Sequence, residues 1–209
     1  MQNLLAGYQR FRSKGWLDQR RTFESLAEKG QAPRALVIGC VDSRVDPARI
    51  FDTAPGEVLT IRNVANLIPP YAPDSNYHGT SAAIEFGIRV LRISDVIVLG
   101  HGLCGGVKTL LEGAPMEGLE FIAPWMSIAQ KACSHVPATL PATERQRQCE
   151  FETVKVSLAN LQTFPWVAER VASGDLRLHG AWFDIRFGEL MLLQSDGTFA
   201  PQGSTEAAR

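Results

Sequence analysis

Three residues of this chain stand where a metal centre would need them. Cys40 ends the apolar run Ala35-Leu36-Val37-Ile38-Gly39-Cys40, and His101 and Cys104 share the segment Gly100-His101-Gly102-Leu103-Cys104-Gly105-Gly106 after the apolar run 95–100. Both runs read as buried strands, so all three side chains fall at strand carboxyl ends. If the two strands are neighbours, two thiolates and one imidazole converge on one point, a donor set suited to zinc. Three protein ligands leave a coordination position open, which distinguishes a catalytic zinc from a structural one. The remaining cysteines, Cys133 and Cys149, follow a Gly- and Pro-rich connection in polar segments that read as helical. They are expected to be free thiols rather than a fourth ligand.

Asp42 and Arg44 follow Cys40 at once. An arbitrary Asp-x-Arg on a loop is read first as a solvated salt bridge. Beside a metal ligand the carboxylate has two further options, to take the open metal position or to accept a hydrogen bond from water there. A bidentate pair with Arg44 would keep it off the metal. A phosphatase loop is excluded because three residues between Cys40 and Arg44 supply too little backbone to cradle an anion. Gly100, Gly102 and Gly105 also satisfy G-x-G-x-x-G. That fingerprint belongs after a first strand and needs an acid presented by a strand about twenty residues on, whereas Glu117 to Glu120 lie in a Gly- and Pro-rich stretch. The intervening His101 and Cys104 are better explained by their match to Cys40. A nucleotide-binding oxidoreductase and a non-catalytic zinc protein are the readings left from other classes.

Positioning these residues requires parallel strands. Ala35 to Cys40, Val58 to Ile61 and Asp95 to Gly100 read as core strands buried on both faces, with a well-buried helix over Gly79 to Leu91. Arg177 to Ile185 and Glu189 to Gln194 read as an antiparallel pair at one edge. Leu4 to Lys29 and Glu144 to Ala172 read as helical, the latter broken at Pro165. The expected fold is α/β: a mainly parallel sheet with helices on both faces and an antiparallel edge strand. Its ligands would bind beyond the strand carboxyl ends. A single domain with an N-terminal helical arm is expected over residues 1–200, and 201–209 reads as a disordered tail. The chain has 209 residues and a net charge of −1, which argues against nucleic-acid or anionic-membrane partners. No apolar run reaches the roughly 18 residues of a membrane span, and no signal-peptide pattern opens the chain, so a cytoplasmic location is expected.

Cys40-Val41-Asp42-Ser43-Arg44, Arg62-Asn63-Val64-Ala65-Asn66, His78-Gly79-Thr80-Ser81-Ala82-Ala83-Ile84-Glu85 and Gly100 to Gly106 together resemble the β-class carbonic anhydrases in order and separation. The resemblance runs from about Leu4 to Gln194. It implies one zinc per chain on Cys40, His101 and Cys104, a catalytic dyad of Asp42 and Arg44, and reversible hydration of carbon dioxide to bicarbonate by a hydroxide held on the metal. It also implies a homodimer or homotetramer. Carbonyl sulfide or carbon disulfide hydrolysis on the same fold is the alternative activity. Asn63 and Asn66 receive no role. His78 is a candidate proton shuttle set against a surface or capping reading, His179 reads as a satisfied core histidine and His135 as a surface one.

One departure stands out. A branch of the resembled family holds inhibitory bicarbonate in a pocket of Trp, Arg and Tyr. Here only Arg62 matches, Val37 and Phe183 replacing the two aromatic donors, with Trp182 a possible substitute from the adjacent position. The pocket is expected to be lost, and Asp42 to stay with Arg44.

Overall fold

The computed structural model describes residues 1–113 and 118–202. Its centre is a six-stranded sheet of order β2-β1-β3-β4-β5-β6. The strands are β1 (Ala35–Cys40), β2 (Val58–Asn63), β3 (Asp95–His101), β4 (Arg177–Asp184), β5 (Glu189–Leu193) and β6 (Phe199–Pro201). β2, β1, β3 and β4 run parallel, and β5 and β6 add antiparallel at one edge. This is the expected α/β architecture.

The side-chain alternation of β1 explains its central place. Leu36 and Ile38 pack with Val96, Val98 and Ile61 on one face, while Val37 joins Leu99 and Ala181 in the cluster on the other. Successive strand side chains point to opposite faces, so a run apolar at every position fits a strand covered on both sides. The first face is covered by α4 (Gly79–Glu85), which continues through a π turn at Phe86–Val90, and by α7 (Ala142–Leu161) and α8 (Pro165–Ala172). Val154, Leu158 and Leu161 of α7 recur at helical spacing and form the stripe that meets the sheet. Pro165 occupies the first turn of α8, where its missing N–H leaves no helical bond unmade. α3 (Pro47–Ile50) precedes β2, and α5 (Gly105–Leu111) and α6 (Ile122–Ser134) lie between α4 and α7 in the chain. The chain opens with α1 (Gln2–Arg10) and α2 (Trp16–Lys29), joined by a π turn at Phe11–Gly15.

Four expectations need correction. β2 is the edge of the sheet rather than a core strand, and only Ile61 in it is buried. The Gly79 to Leu91 helix buries Ile84, Gly87 and Ile88 but leaves Phe86 and Val90 exposed, because it covers the sheet with one face only. The segment assigned to a tail is partly ordered, since Pro201 ends β6 and the Gln202 amide donates to the Leu190 carbonyl at 2.9 Å. The rest of that segment, 203–209, lies outside the described residues. His179 is satisfied but not in the core, as its ring is part-exposed where β4 begins.

His179 belongs to a polar knot at the start of β3 and β4. Asp95 Oδ1 accepts from Arg177 Nε at 2.8 Å and lies 2.9 Å from His179 Nε2, while Oδ2 accepts from Arg177 Nη2 at 2.7 Å and Ser94 Oγ at 2.8 Å. The Arg177 guanidinium, against partial burial and aided by His179 and Ser94, holds the Asp95 carboxyl well below the usual carboxylate range. A depressed folded-state pKa stabilises the protein above the unfolded value of about 3.9, and the contribution is lost as pH falls toward the folded one. Asp95→Asn is therefore expected to cost about 1–2 kcal/mol at pH 7 after allowance for the exposure of Arg177. In urea unfolding, the gap between wild type and variant should narrow as pH falls below about 4. A gap independent of pH would mean the knot contributes shape rather than charge.

Candidate metal centre

β1 and β3 are hydrogen-bonded neighbours, with Gly39 opposite Leu99, so Cys40 leaves the sheet opposite Gly100 and one residue short of His101. At Gly100 a Cβ would stand 2.7 Å from Val154 Cγ2, so only glycine lets α7 lie this close to the strand end. The third donor arrives by a sharp reversal. Leu103 takes a left-handed conformation (φ 59°), a strained geometry for a residue with a side chain, and it turns Cys104 back toward the strand ends.

The outcome is a buried triad. The ligand atoms of Cys40, His101 and Cys104 all lie within 4.8 Å of one another. Bond lengths of about 2.3 Å to sulfur and 2.0–2.1 Å to nitrogen fit inside that spacing. The His101 Nδ1 pairs with the Gly102 carbonyl at 2.9 Å and must donate to it, which leaves the Nε2 lone pair free. Nε2 is buried with no hydrogen-bond partner, the state of a nitrogen that awaits a metal. The Cys104 thiol, hydrogen-bonded to Cys40, lowers the Cys40 thiol to about 4 against the cost of burial, with His101 assisting. Sharing that proton, with burial, pushes Cys104 up. Burial alone would lower His101, but the negative charge gathered at the neighbouring Cys40 sulfur outweighs it and raises His101 overall. The residues therefore fit zinc, whose binding would displace the shared proton.

Cys133 on α6 and Cys149 on α7 are free thiols buried in one cluster, and burial raises both. Neither belongs to the group of three donors formed by Cys40, His101 and Cys104. Beside the triad, Asp42 is gripped by Arg44. Oδ1 accepts from the Arg44 amide at 3.0 Å and from Nε at 2.9 Å, and Oδ2 accepts from Nη2 at 2.7 Å. The Arg44 hydrogen bond, against partial burial, holds the Asp42 carboxyl far below its usual range. Oδ2 lies 4.0 Å from His101 Nε2, so the carboxylate stands at the rim of the site, held off it. Arg62 pins the same loop by donating to the carbonyls of Cys40 at 2.9 Å and Asp42 at 2.6 Å.

Other candidates resolve differently. Asn63 Nδ2 donates to the Leu67 carbonyl at 2.8 Å, and Asn66, buried and left-handed (φ 48°), receives Ser157 Oγ on its carbonyl at 3.1 Å; both shape the turn after β2. His78 precedes α4 and pairs with Asp74 at 2.7 Å on the surface. His135 is an exposed residue closing α6. Val37 and Phe183 pack in one apolar cluster. Trp182 cannot stand in for the missing donor, because it points to the opposite face and donates to Glu150 Oε2 at 3.2 Å. Of the acidic stretch weighed against the dinucleotide fingerprint, Glu117 lies outside the described residues, and Gly118 to Glu120 form no strand.

Glu150 was not legible as a site residue. It is 2% exposed, burial raises its carboxyl, and it accepts the Cys104 amide at 2.9 Å. The one signal was an acid four residues before Val154 on the core stripe of α7.

A family model described as carbonic anhydrase matches residues 35–190. The chain is 34% identical over 208 residues to β carbonic anhydrase 3 of Arabidopsis thaliana, covering 96% of this chain and 80% of that one. It is 35% identical to the chloroplastic β carbonic anhydrase 5 of the same plant, covering 83% of this chain and 58% of that protein's length. Among solved structures, the β-carbonic anhydrase CcaA superposes with a TM-score of 0.90 at 34% identity, covering 98% of this chain and 93% of that one. A tetrameric β-carbonic anhydrase of Sordaria macrospora gives 0.80 at 28% identity, covering 95% and 98%.

Loss of one of three protein donors should remove most metal affinity. His101→Ala and Cys104→Ser are each expected to purify with little zinc while keeping the wild-type circular dichroism spectrum. Full zinc occupancy in either would show the ligand set to be misassigned.

Proposed function

The chain belongs to the β-class carbonic anhydrase family, and from that membership we propose the residue roles by which it works. It is a carbonate dehydratase that interconverts carbon dioxide and bicarbonate at a zinc site typified by Cys40, His101 and Cys104. The observation that carries the proposal is the convergence of three buried donors beside an arginine-held carboxylate. Zinc bound there supplies a Lewis acid that lowers the pKa of water toward neutrality, as it does in the carbonic anhydrases that hold it on three histidines.

Asp42 and Arg44 are the catalytic pair in this reading. An ionised Asp42 is an acceptor only: Oδ1 uses both of its lone-pair sites on Arg44, while Oδ2, with a single bond to Arg44, keeps one free. Oδ2 is thus placed to accept a hydrogen bond from a reacting water and so to aim the oxygen lone pair at carbon dioxide. Arg44 prevents the carboxylate from swinging onto the metal, and its Nη2 also donates to the Leu103 carbonyl at 3.1 Å, tying the dyad to the ligand turn. Val41 and Leu103, exposed beside the ligands, offer the apolar surface that a non-polar substrate needs.

The working unit in this reading is a homodimer or a homotetramer. Among the described residues, none of α1 or α2 is buried, although the arm carries Leu4, Leu5, Tyr8, Phe11 and Leu17 exposed. Such an apolar arm is suited to a second copy of the chain. The Sordaria macrospora relatives are tetrameric. No helix among the described residues is long and apolar enough to cross a membrane. Four unpaired buried cysteines support a reducing compartment such as the cytoplasm.

Stopped-flow hydration of carbon dioxide by zinc-loaded protein tests the activity, and a rate no higher than buffer alone would overturn it. Asp42→Asn and Arg44→Ala should each keep zinc and lose roughly 100-fold or more in kcat/KM, the scale of a misplaced reacting group. Near-normal rates would reduce the pair to a loop salt bridge. The depressed pKa of Asp42 keeps it ionised and paired through moderate acid. Loss of activity toward low pH should therefore follow a single-proton curve that added bicarbonate does not steepen. A cooperative, bicarbonate-deepened loss would show that an anion switch operates after all.

A further inference from the structure

We propose that Glu150 is a positioning residue of the metal centre, which fixes the Cys104 peptide from α7 and thereby aims the Cys104 sulfur. The proposal rests on the ligand set assigned above. Glu150 Oε1 accepts the Cys104 N–H at 2.9 Å. Gln146, one helical turn earlier, donates Nε2 both to Oε1 at 3.0 Å and to the Cys104 carbonyl at 3.3 Å. Two side chains on one helix face thus hold the donor and the acceptor of the same residue. The other carboxylate oxygen, Oε2, accepts Trp182 Nε1 at 3.2 Å, and the Trp182 ring lies against Gly102, where a Cβ would come within 3.1 Å of it. The clamp therefore reaches both ends of the turn from His101 to Cys104.

That turn needs an external hold. Leu103 is left-handed (φ 59°), so relaxation of its backbone would swing Cys104 away from Cys40 and His101. α7 is a firm base for the clamp, because Val154, Leu158 and Leu161 anchor it to the sheet. The choice of an acid is also explained. Two N–H donors, from Cys104 and Trp182, approach different oxygens of one buried side chain, and only a carboxylate presents two acceptors. A glutamine there would fill the same space with one oxygen and one amide, and its NH2 would have to face one of the two donors.

The test compares Glu150→Gln, Trp182→Phe and the double variant in the full-length protein. Zinc affinity is read by chelator competition, and ligand geometry by the thiolate-to-metal and d–d absorption of the cobalt(II)-substituted protein. Glu150→Gln should weaken zinc binding by roughly 10–100-fold, the range for groups that orient metal ligands, and shift the cobalt bands. Adding Trp182→Phe removes the donor that the new amide would oppose, so the double variant should bind zinc more tightly than Glu150→Gln alone. Should Glu150→Gln fail to fold, Gln146→Met, at a half-buried position, should give a smaller loss in the same direction. Wild-type affinity with unchanged cobalt bands in Glu150→Gln, or in Gln146→Met where that variant is needed, would overturn the proposal. So would simple addition of the two single-variant losses in the double variant. Cys104→Ser separates this from failure of the ligand set. If that variant loses zinc while Glu150→Gln keeps it, only the role of Glu150 falls.

Discussion

The parallel pairing of β1 with β3 is the constraint on which the rest of this structure depends. Its register sets Gly39 against Leu99, and so brings Cys40 and His101 out of the sheet at the same edge. A slip of one residue would turn Leu36 and Ile38 away from Val96 and Val98 and send Cys40 to the wrong face. The apolar packing that fixes the register is therefore what fixes two of the three metal donors. Carbon dioxide offers little to hold on to, so the geometry of the activating site has to be set by the fold rather than by the substrate.

The third donor and the dyad come from loops, and each loop is held from outside. Arg62 grips the carbonyls of Cys40 and Asp42 on one side, while Glu150 and Gln146 grip Cys104 on the other. Most of the buried polar residues gather around the carboxyl ends of the strands: His101, Glu150, Asn66 and Ser157 are all within reach of the ligand turn or of the turn after β2. Burying such groups is costly unless they are paired, and two side-chain atoms among them are not, Asn66 Nδ2 and His101 Nε2. Of the two, His101 Nε2 is the informative one, because it lies among the Cys40 and Cys104 donors, where a metal gives it a partner.

Chemistry that was local in sequence was legible there. Cys40, Asp42 and Arg44 share five residues, His101 and Cys104 share four, and the continuous apolar runs before them identify the strands that carry them. What escaped depended on contacts between distant segments. Glu150 meets Cys104 across 46 residues, and no composition or spacing rule reveals the pairing. The edge position of β2 and the open face of α4 escaped for a different reason: an apolar run states how much surface asks to be buried, not which neighbour arrives to bury it. Trp182 and Phe183 differ in face by the two-residue period of a strand, so an assignment uncertain by one position could not say which of them looks toward Val37. β6 is only three residues long, too short to show a strand pattern, and its pairing with β5 supplies what its length does not.

The central claim is that zinc sits here on two thiolates and one imidazole with a position left open. X-ray absorption at the zinc edge of the resting protein tests it most directly. The account predicts two sulfur ligands at about 2.3 Å and two nitrogen or oxygen ligands at about 2.0–2.1 Å, one of the latter being exchangeable. A third sulfur, which would draw in Cys133 or Cys149, or a shell without sulfur would contradict it.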